Sequence, residues 1–280
     1  MACSLGSTII SMSEPTLTPN APIIRVENVT VGYGENVILK DVSFDVKRGE
    51  VFGILGGSGC GKSTLLKNMI GLYRPLAGHV LIDDIDIATV EDAARDALIR
   101  RFGVMYQAGA LFGSMRVIDN VRLPLEVYTD LPMDAMNLIA RMKLDLVGLE
   151  PAASLMPAEL SGGMRKRAAI ARAMALDPAI LFLDEPSAGL DPVTSAELDQ
   201  LILSLAHSLG ITFVVVTHEL ASVFNIADRV IMLEREAKGI IACGPPHELR
   251  ETRDNPTVHA FFNRVATPHK TEGDADQRHS

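Results

Sequence analysis

The sequence predicts an α/β domain with a mostly parallel sheet and helices on both faces. Three observations carry this expectation. Short runs of buried-strand composition, Val51–Leu55, Phe102–Tyr106, Ile180–Leu183, Phe213–Val216 and Arg229–Leu233, alternate with longer stretches of helical patterning, the order a parallel sheet requires. A glycine-rich turn, Gly56–Gly61, joins the first of these strands to a helical stretch, Lys62–Gly71. No apolar run reaches the roughly 18 residues needed to cross a bilayer. Any action on a membrane would therefore pass through a partner.

Along the chain, Met1–Ala21 is rich in Ser, Thr and Pro and lacks the basic start and apolar core of a signal peptide. It reads as a disordered tail over 1–22, or as an upstream start with Met12 as the true first residue. Ile23–Val31 and Val37–Val46 flank Gly32-Tyr33-Gly34 and read as a hairpin, an antiparallel β part ahead of the main sheet. Gly78–Ile82 is a further strand, followed by Asp83 and Asp84 where a turn is wanted. With Asp86 these acids could form a metal site, but a solvated turn is the better reading. From 117 to about 175 the pattern is helical, broken by Pro124, Pro132, Pro151 and Pro157. That block lies between two core strands, so it reads as an inserted helical subdomain. The main domain spans 23–250. The segment 251–266 is a C-terminal extension carrying an adjacent aromatic pair, Phe261-Phe262, and 267–280 is a polar tail.

The formal charge of −9 argues against a nucleic-acid partner, because phosphate backbones reward a basic face. The three cysteines, Cys3, Cys60 and Cys243, lie far apart and form no metal-like pair, which suits reduced thiols.

The chemistry begins at Gly56-Gly57-Ser58-Gly59-Cys60-Gly61-Lys62-Ser63, with Thr64 following. This is G-x-x-x-x-G-K-[ST] between a strand and a helix. Glycines let the backbone curl so that successive N–H groups point at phosphate oxygens. The following helix adds its positive dipole end. Lys62 would reach the β- and γ-phosphates and Ser63 would offer its hydroxyl to Mg²⁺. Cys60 reads as structural, with a redox switch as the alternative, since a helix N-terminus lowers thiol pKa. A second strand, Ile180–Leu183, ends in Asp184-Glu185. Two carboxylates at a buried strand end are costly unless a cation or a reaction uses them. Asp184 would hold the metal and Glu185 would polarise an attacking water as general base. These motifs by themselves imply an NTPase or a kinase.

Leu160-Ser161-Gly162-Gly163-Met164 precedes the helical stretch Arg165–Ala175 and resembles the signature motif of ABC ATPases, with Met164 in place of the usual Gln. A hydroxyl, two glycines and a helix start make an anion site. The resemblance implies that Ser161, Gly162 and Gly163 close on ATP held by a second subunit, so the working unit is a homodimer. It also implies that Tyr33 stacks on adenine and that Gln107 touches Mg²⁺ and the water. Ser187–Asp191 would run across the dimer interface, and His218 would contact the γ-phosphate. Alone, Tyr33 would read as hairpin packing and His218 as a structural histidine; their order among six motifs changes that. The resemblance covers roughly Ile23 to Leu249.

Gly103–Phe112, continuing into Val117–Val121 and Leu123–Pro132, is similar to the ATPases of the Mce/Mla class, which move phospholipids between bacterial membranes. The Met-ended signature with Arg165-Lys166-Arg167 and the stretch Asn255-Pro256…Phe261-Phe262-Asn263 point the same way. That resemblance implies a polytopic permease, an Mce-domain protein and, in some systems, a STAS-domain subunit. It places the chain on the cytoplasmic face of the inner membrane, held through the permease. The surface after Gln107, from Phe112 through the helical block, would bear the permease contact. Asn255–Arg264 would dock on the second subunit. Two alternatives are the ATPase of an importer for amino acids or another small solute, and a soluble ABC ATPase in repair or translation.

Overall fold

The computed structural model describes residues 22–265, apart from Ala108. The segments 1–21 and 266–280, including the tail and start-site expectations, lie outside the described residues.

Two sheets form the framework. Strands β1 (Pro22–Tyr33), β2 (Asn36–Lys47), β4 (Ala77–Ile82) and β5 (Ile85–Asp86) make an antiparallel sheet in the order β2-β1-β4-β5. The second sheet comprises β3 (Val51–Gly56), β6 (Phe102–Met105), β7 (Ile180–Asp184), β8 (Thr212–Val216), β9 (Arg229–Glu234) and β10 (Gly239–Gly244). Its order is β10-β9-β3-β8-β7-β6, parallel throughout except for β10 against β9. β3, β7 and β8 are buried at every position, as expected of strands covered on both faces. Helix α1 (Lys62–Met69) lies between the two sheets: Leu65, Leu66 and Met69 join one core with Ile24, Val26, Ile54 and Phe182.

The hairpin turns at Gly34-Glu35, with Tyr33 paired to Asn36. Asp83 and Asp84 adopt positive φ (47° and 65°) in a tight turn. Asp83 is paired with Arg48 and with Arg101 at 2.6 Å, and Asp86 with His79 at 2.7 Å. These acids are taken up by local partners, which accounts for them without a metal.

The helical block contains α3 (Val117–Tyr128), α4 (Met133–Leu146) and α5 (Gly162–Ala173), with two short 3-10 turns between α4 and α5. Two expectations are corrected here. Pro124 sits inside α3 rather than ending it; the helix loses one internal hydrogen bond, while Val117, Ile118, Val121 and Leu125 bury its inner face. Helix α5 begins at Gly162, three residues earlier than the propensity of its glycines suggests, because Ser161 caps it by accepting from Met164 N at 3.2 Å.

The remaining helices are α2 (Asp92–Ile99), α6 (Pro192–Leu209), α7 (Leu220–Ile226), α8 (Pro246–Glu251) and α9 (Pro256–Asn263). Strand β10 and helices α8 and α9 have no counterpart among the elements read from sequence. Asn255 caps α9 by accepting from Thr257 N and Val258 N. Val258 and Phe262 of α9 are buried against Leu55, Leu220, Met232 and Leu249. The aromatic pair therefore finds much of its cover on its own domain: Phe262 is 3% exposed, while Phe261 is only partly covered.

Candidate functional site

The site lies where β3, β7 and β8 end on the same edge of the parallel sheet, the place where open α/β sheets bind ligands. β3 runs into Gly56, whose φ of 146° and close neighbours exclude a side chain. A Cβ there would lie 2.4 Å from Leu233 O and 2.6 Å from Cys60 Sγ. Gly61 caps α1 at φ 107°, against Ile38 and Leu39. Between them Gly57, Ser58 and Gly59 are exposed, and Gly59 lines an open cleft. Cys60 is buried, which removes the access a redox switch needs and leaves the structural reading.

The cleft has a volume of about 660 Å³, and Gly59, Gly61, Lys62, Ser63 and Thr64 form its floor. Asn36, Val37 and Ile38 of the hairpin, with Arg235 and Lys238 of the β9–β10 turn, form its walls. Sequence reasoning missed these two cations because it did not find the strand that folds them back over the loop. Lys62 is largely buried and donates to Gly56 O at 2.8 Å and Gly57 O at 3.1 Å. Its ammonium is thus held in the loop, one charge among several N–H donors.

Ser63 Oγ lies 3.4 Å from Asp184 Oδ1, across from the end of β7. Burial, and then the neighbouring charge of Glu185, push the Asp184 carboxyl above its ordinary range. A carboxylate held at such a cost beside a hydroxyl suits a divalent cation. Among the described residues no cluster of three or more His, Cys, Asp or Glu could hold a metal by itself. The donor set Ser63 plus Asp184 fits Mg²⁺ shared with phosphate and water.

Glu185 adopts positive φ (49°), an uncommon conformation for a residue with a side chain. Its N–H donates to Val216 O at 2.8 Å, which holds the backbone there. Its side chain is buried; Oε1 lies 2.8 Å from His218 Nδ1, while Oε2 has no protein partner. An unpartnered carboxylate oxygen in a buried position can accept a proton from a water brought beside it. The structure therefore brings together Lys62, Ser63, Thr64, Asp184, Glu185 and His218.

Other sequence-predicted residues lie elsewhere. Tyr33 is half-exposed and packs edge-on against Tyr73, with ring centroids 5.8 Å apart, and does not line the cleft. Gln107 is exposed in the turn after β6. Ser161, Gly162 and Gly163 stand at the start of α5 and contribute nothing to the cleft wall. A Cβ on Gly163 would lie 2.5 Å from Thr194 Cγ2, so the first turns of α5 and α6 are packed without room for a methyl group. Asp191 caps α6, accepting from Val193 N and Thr194 N.

A glycine loop between a central strand and a helix, with a buried acid pair at a neighbouring strand end, defines a P-loop nucleotide-binding protein. The comparisons give the family. The ABC transporter family model matches residues 39–188, and the chain belongs to that family. It is 43% identical over 247 residues to the probable ribonucleotide transport ATP-binding protein mkl of Mycobacterium leprae, covering 88% of this chain and 70% of that protein. It is 40% identical over 235 residues to the intermembrane phospholipid transport system ATP-binding protein MlaF of Haemophilus influenzae, covering 84% and 88%. Among solved structures, the dimeric post-hydrolysis cassette MJ0796, bound to ADP and Pi, superposes with a TM-score of 0.71 at 32% identity, over 79% of this chain and 98% of that one. The protein is an ATP-hydrolysing cassette, and no described helix is long and apolar enough to cross a membrane.

Proposed function

We propose that this cassette works as a homodimer on a polytopic permease and drives phospholipid transport from the cytoplasmic face of the inner membrane. The observation that carries this reading is the identity to MlaF along nearly its whole length. The partners follow the same line: an Mce-domain protein, with a STAS-domain subunit in some systems. Phe112, half-exposed beyond Gln107, supports a permease contact on that face. The partly covered Phe261 of α9 and the exposed Val265 just past it leave a face for the second subunit.

Within the site, the loop Gly56–Gly61, Lys62, Ser63 and Thr64 hold the ATP phosphates, and Ser63, Asp184 and Gln107 hold Mg²⁺, which would neutralise charge developing on the phosphates. Glu185 takes the proton of the attacking water, and His218, beside Glu185 Oε1, contacts the γ-phosphate. Tyr33 turns to the adenine, and Ser161–Gly163 complete the site of the second subunit. A different cargo is favoured by the mkl relative, whose name assigns ribonucleotide transport. The test is to purify the cassette with its membrane subunit and reconstitute it in vesicles carrying labelled phospholipid and, separately, enclosing labelled nucleotides. ATP-dependent phospholipid movement is expected. Movement of nucleotides without lipid would overturn the lipid assignment, and absence of any membrane subunit would overturn transport altogether.

A further inference from the structure

Helix α5 presents the signature turn, but its inner side holds a second feature. Lys166 lies one turn into α5 and is only 7% exposed. Its ammonium donates to the main-chain carbonyl of Gln107 and, at 3.1 Å, to that of Glu185. Those carbonyls leave two neighbouring strands of the sheet, β6 and β7, where the chain is turning away from regular pairing. Burial pushes the Lys166 amine below its ordinary range, opposed by the charges of Glu185 and Asp184. A buried ammonium is costly, and a packed apolar side chain would commonly serve stability as well. A lysine bonded to two carbonyls beside the acid pair is thus better explained by what it holds than by what it stabilises.

Further along α5, Arg172 donates to Gly109 O at 3.0 Å and Ala110 O at 2.7 Å, and its guanidinium lies over the ring of Phe112. The helix thus grips the segment after β6 at both ends. Of these two cations, Lys166 is the one that also reaches Glu185.

We propose that Lys166 is a positioning residue for hydrolysis: bonded to the carbonyls of Gln107 and Glu185, it fixes the two residues relative to one another and to the signature helix. Displacement of Gln107 is then transmitted to Glu185 through one side chain. The inference rests on the roles proposed above for Gln107 and Glu185.

The test uses the full chain at concentrations where turnover per subunit is maximal. Gln107→Ala is measured first, and a loss of about fivefold or more in kcat is expected. A wild-type rate there would remove the role of Gln107, and this proposal with it. Lys166→Met is then expected to lower kcat about tenfold or more while KM for Mg-ATP stays within about threefold; Lys166→Arg, which keeps charge and donors, should stay within about threefold of wild type. In the Lys166→Met background, Gln107→Ala should cost less than about twofold more, because the two act as a unit. The proposal is overturned by a wild-type kcat in Lys166→Met, by a loss confined to KM, by an Arg variant as impaired as the Met variant, or by fully additive losses with Gln107→Ala. If Lys166→Met does not fold, Lys166→Gln, which keeps one donor, replaces it. An intermediate kcat at unchanged KM supports the proposal, and wild-type kinetics overturn it.

Discussion

Glu185→Gln isolates the chemistry of the site from its architecture. The amide keeps the side-chain shape, so its carbonyl can still accept from His218 at the position of Oε1, now 2.8 Å from Nδ1. The Glu185 N–H to Val216 O bond and the Lys166 bond to its carbonyl are main-chain contacts and survive. The change falls on Oε2, the buried oxygen without a partner, where an acceptor becomes an NH₂ donor. Loss of a general base typically costs about 10²–10⁴ in rate. At about 1.36 kcal/mol per factor of ten, that is about 3–5 kcal/mol of barrier. Binding should persist, because the loop N–H groups, Lys62 and Ser63 do not depend on that proton acceptor. Single-turnover hydrolysis at saturating Mg-ATP, with size-exclusion mass in the same buffer, should show a stalled reaction in a stable dimer. A rate within about threefold of wild type would refute Glu185 as the base. A stalled rate in a strict monomer would refute the shared-site arrangement.

Arg229 ties the two sheets, donating to Glu50 at 2.8 Å and to Asp45 at 3.0 Å. Arg229→Met leaves the buried Glu50 carboxylate with the Lys47 N–H and no cation, and should cost about 2–4 kcal/mol in denaturant unfolding, most of it recovered in Arg229→Met/Glu50→Gln; the half-exposed Asp45 adds little. Equal destabilisation of the single and double variants would contradict this. Phe262→Ala empties a packed position under α9 and should cost about 3–5 kcal/mol of monomer stability; unchanged stability would show that α9 is held by a second subunit instead. Because burial raises the Asp184 carboxyl, its ionised form costs the nucleotide-free fold. The Asp184 contribution to stability should therefore rise as pH falls through the raised value toward 3.8 and level off below it, while metal-dependent ATP affinity falls over the same window. Asp184→Asn should remove this component from both profiles, and a pH dependence unchanged in that variant would assign it elsewhere.

Much of this architecture was legible because the chemistry leaves narrow options. Four consecutive apolar residues ending in two acids, as at Ile180–Glu185, have few structural uses, and a glycine loop before Lys62-Ser63 has fewer. The fold was less legible where burial is partial. β10 is an edge strand with no fully buried position, so neither alternation nor a continuous apolar run marks it, and Arg235 and Lys238 escaped notice with it. The start of α5 was misplaced because glycine propensity argues against a helix, whereas a helix that offers its first N–H groups to a ligand needs small residues there. Tyr33 and Lys166 show a further limit. Sequence names the residue, but only packing determines that one ring lies on Tyr73 and that one ammonium points inward between two strands.

The contact of Gly163 with Thr194 has a consequence for timing. Glu185 connects to α6 through the short segment 186–191, and α6 begins with the turn that leaves Gly163 no free space. In the paired arrangement proposed above, Glu185 serves one nucleotide and Gly163 the other. A change in segment 186–191 after one ATP is cleaved would therefore press on the clasp around its neighbour. Two sites wired in this way would not keep independent clocks: the state of one becomes a boundary condition for the other.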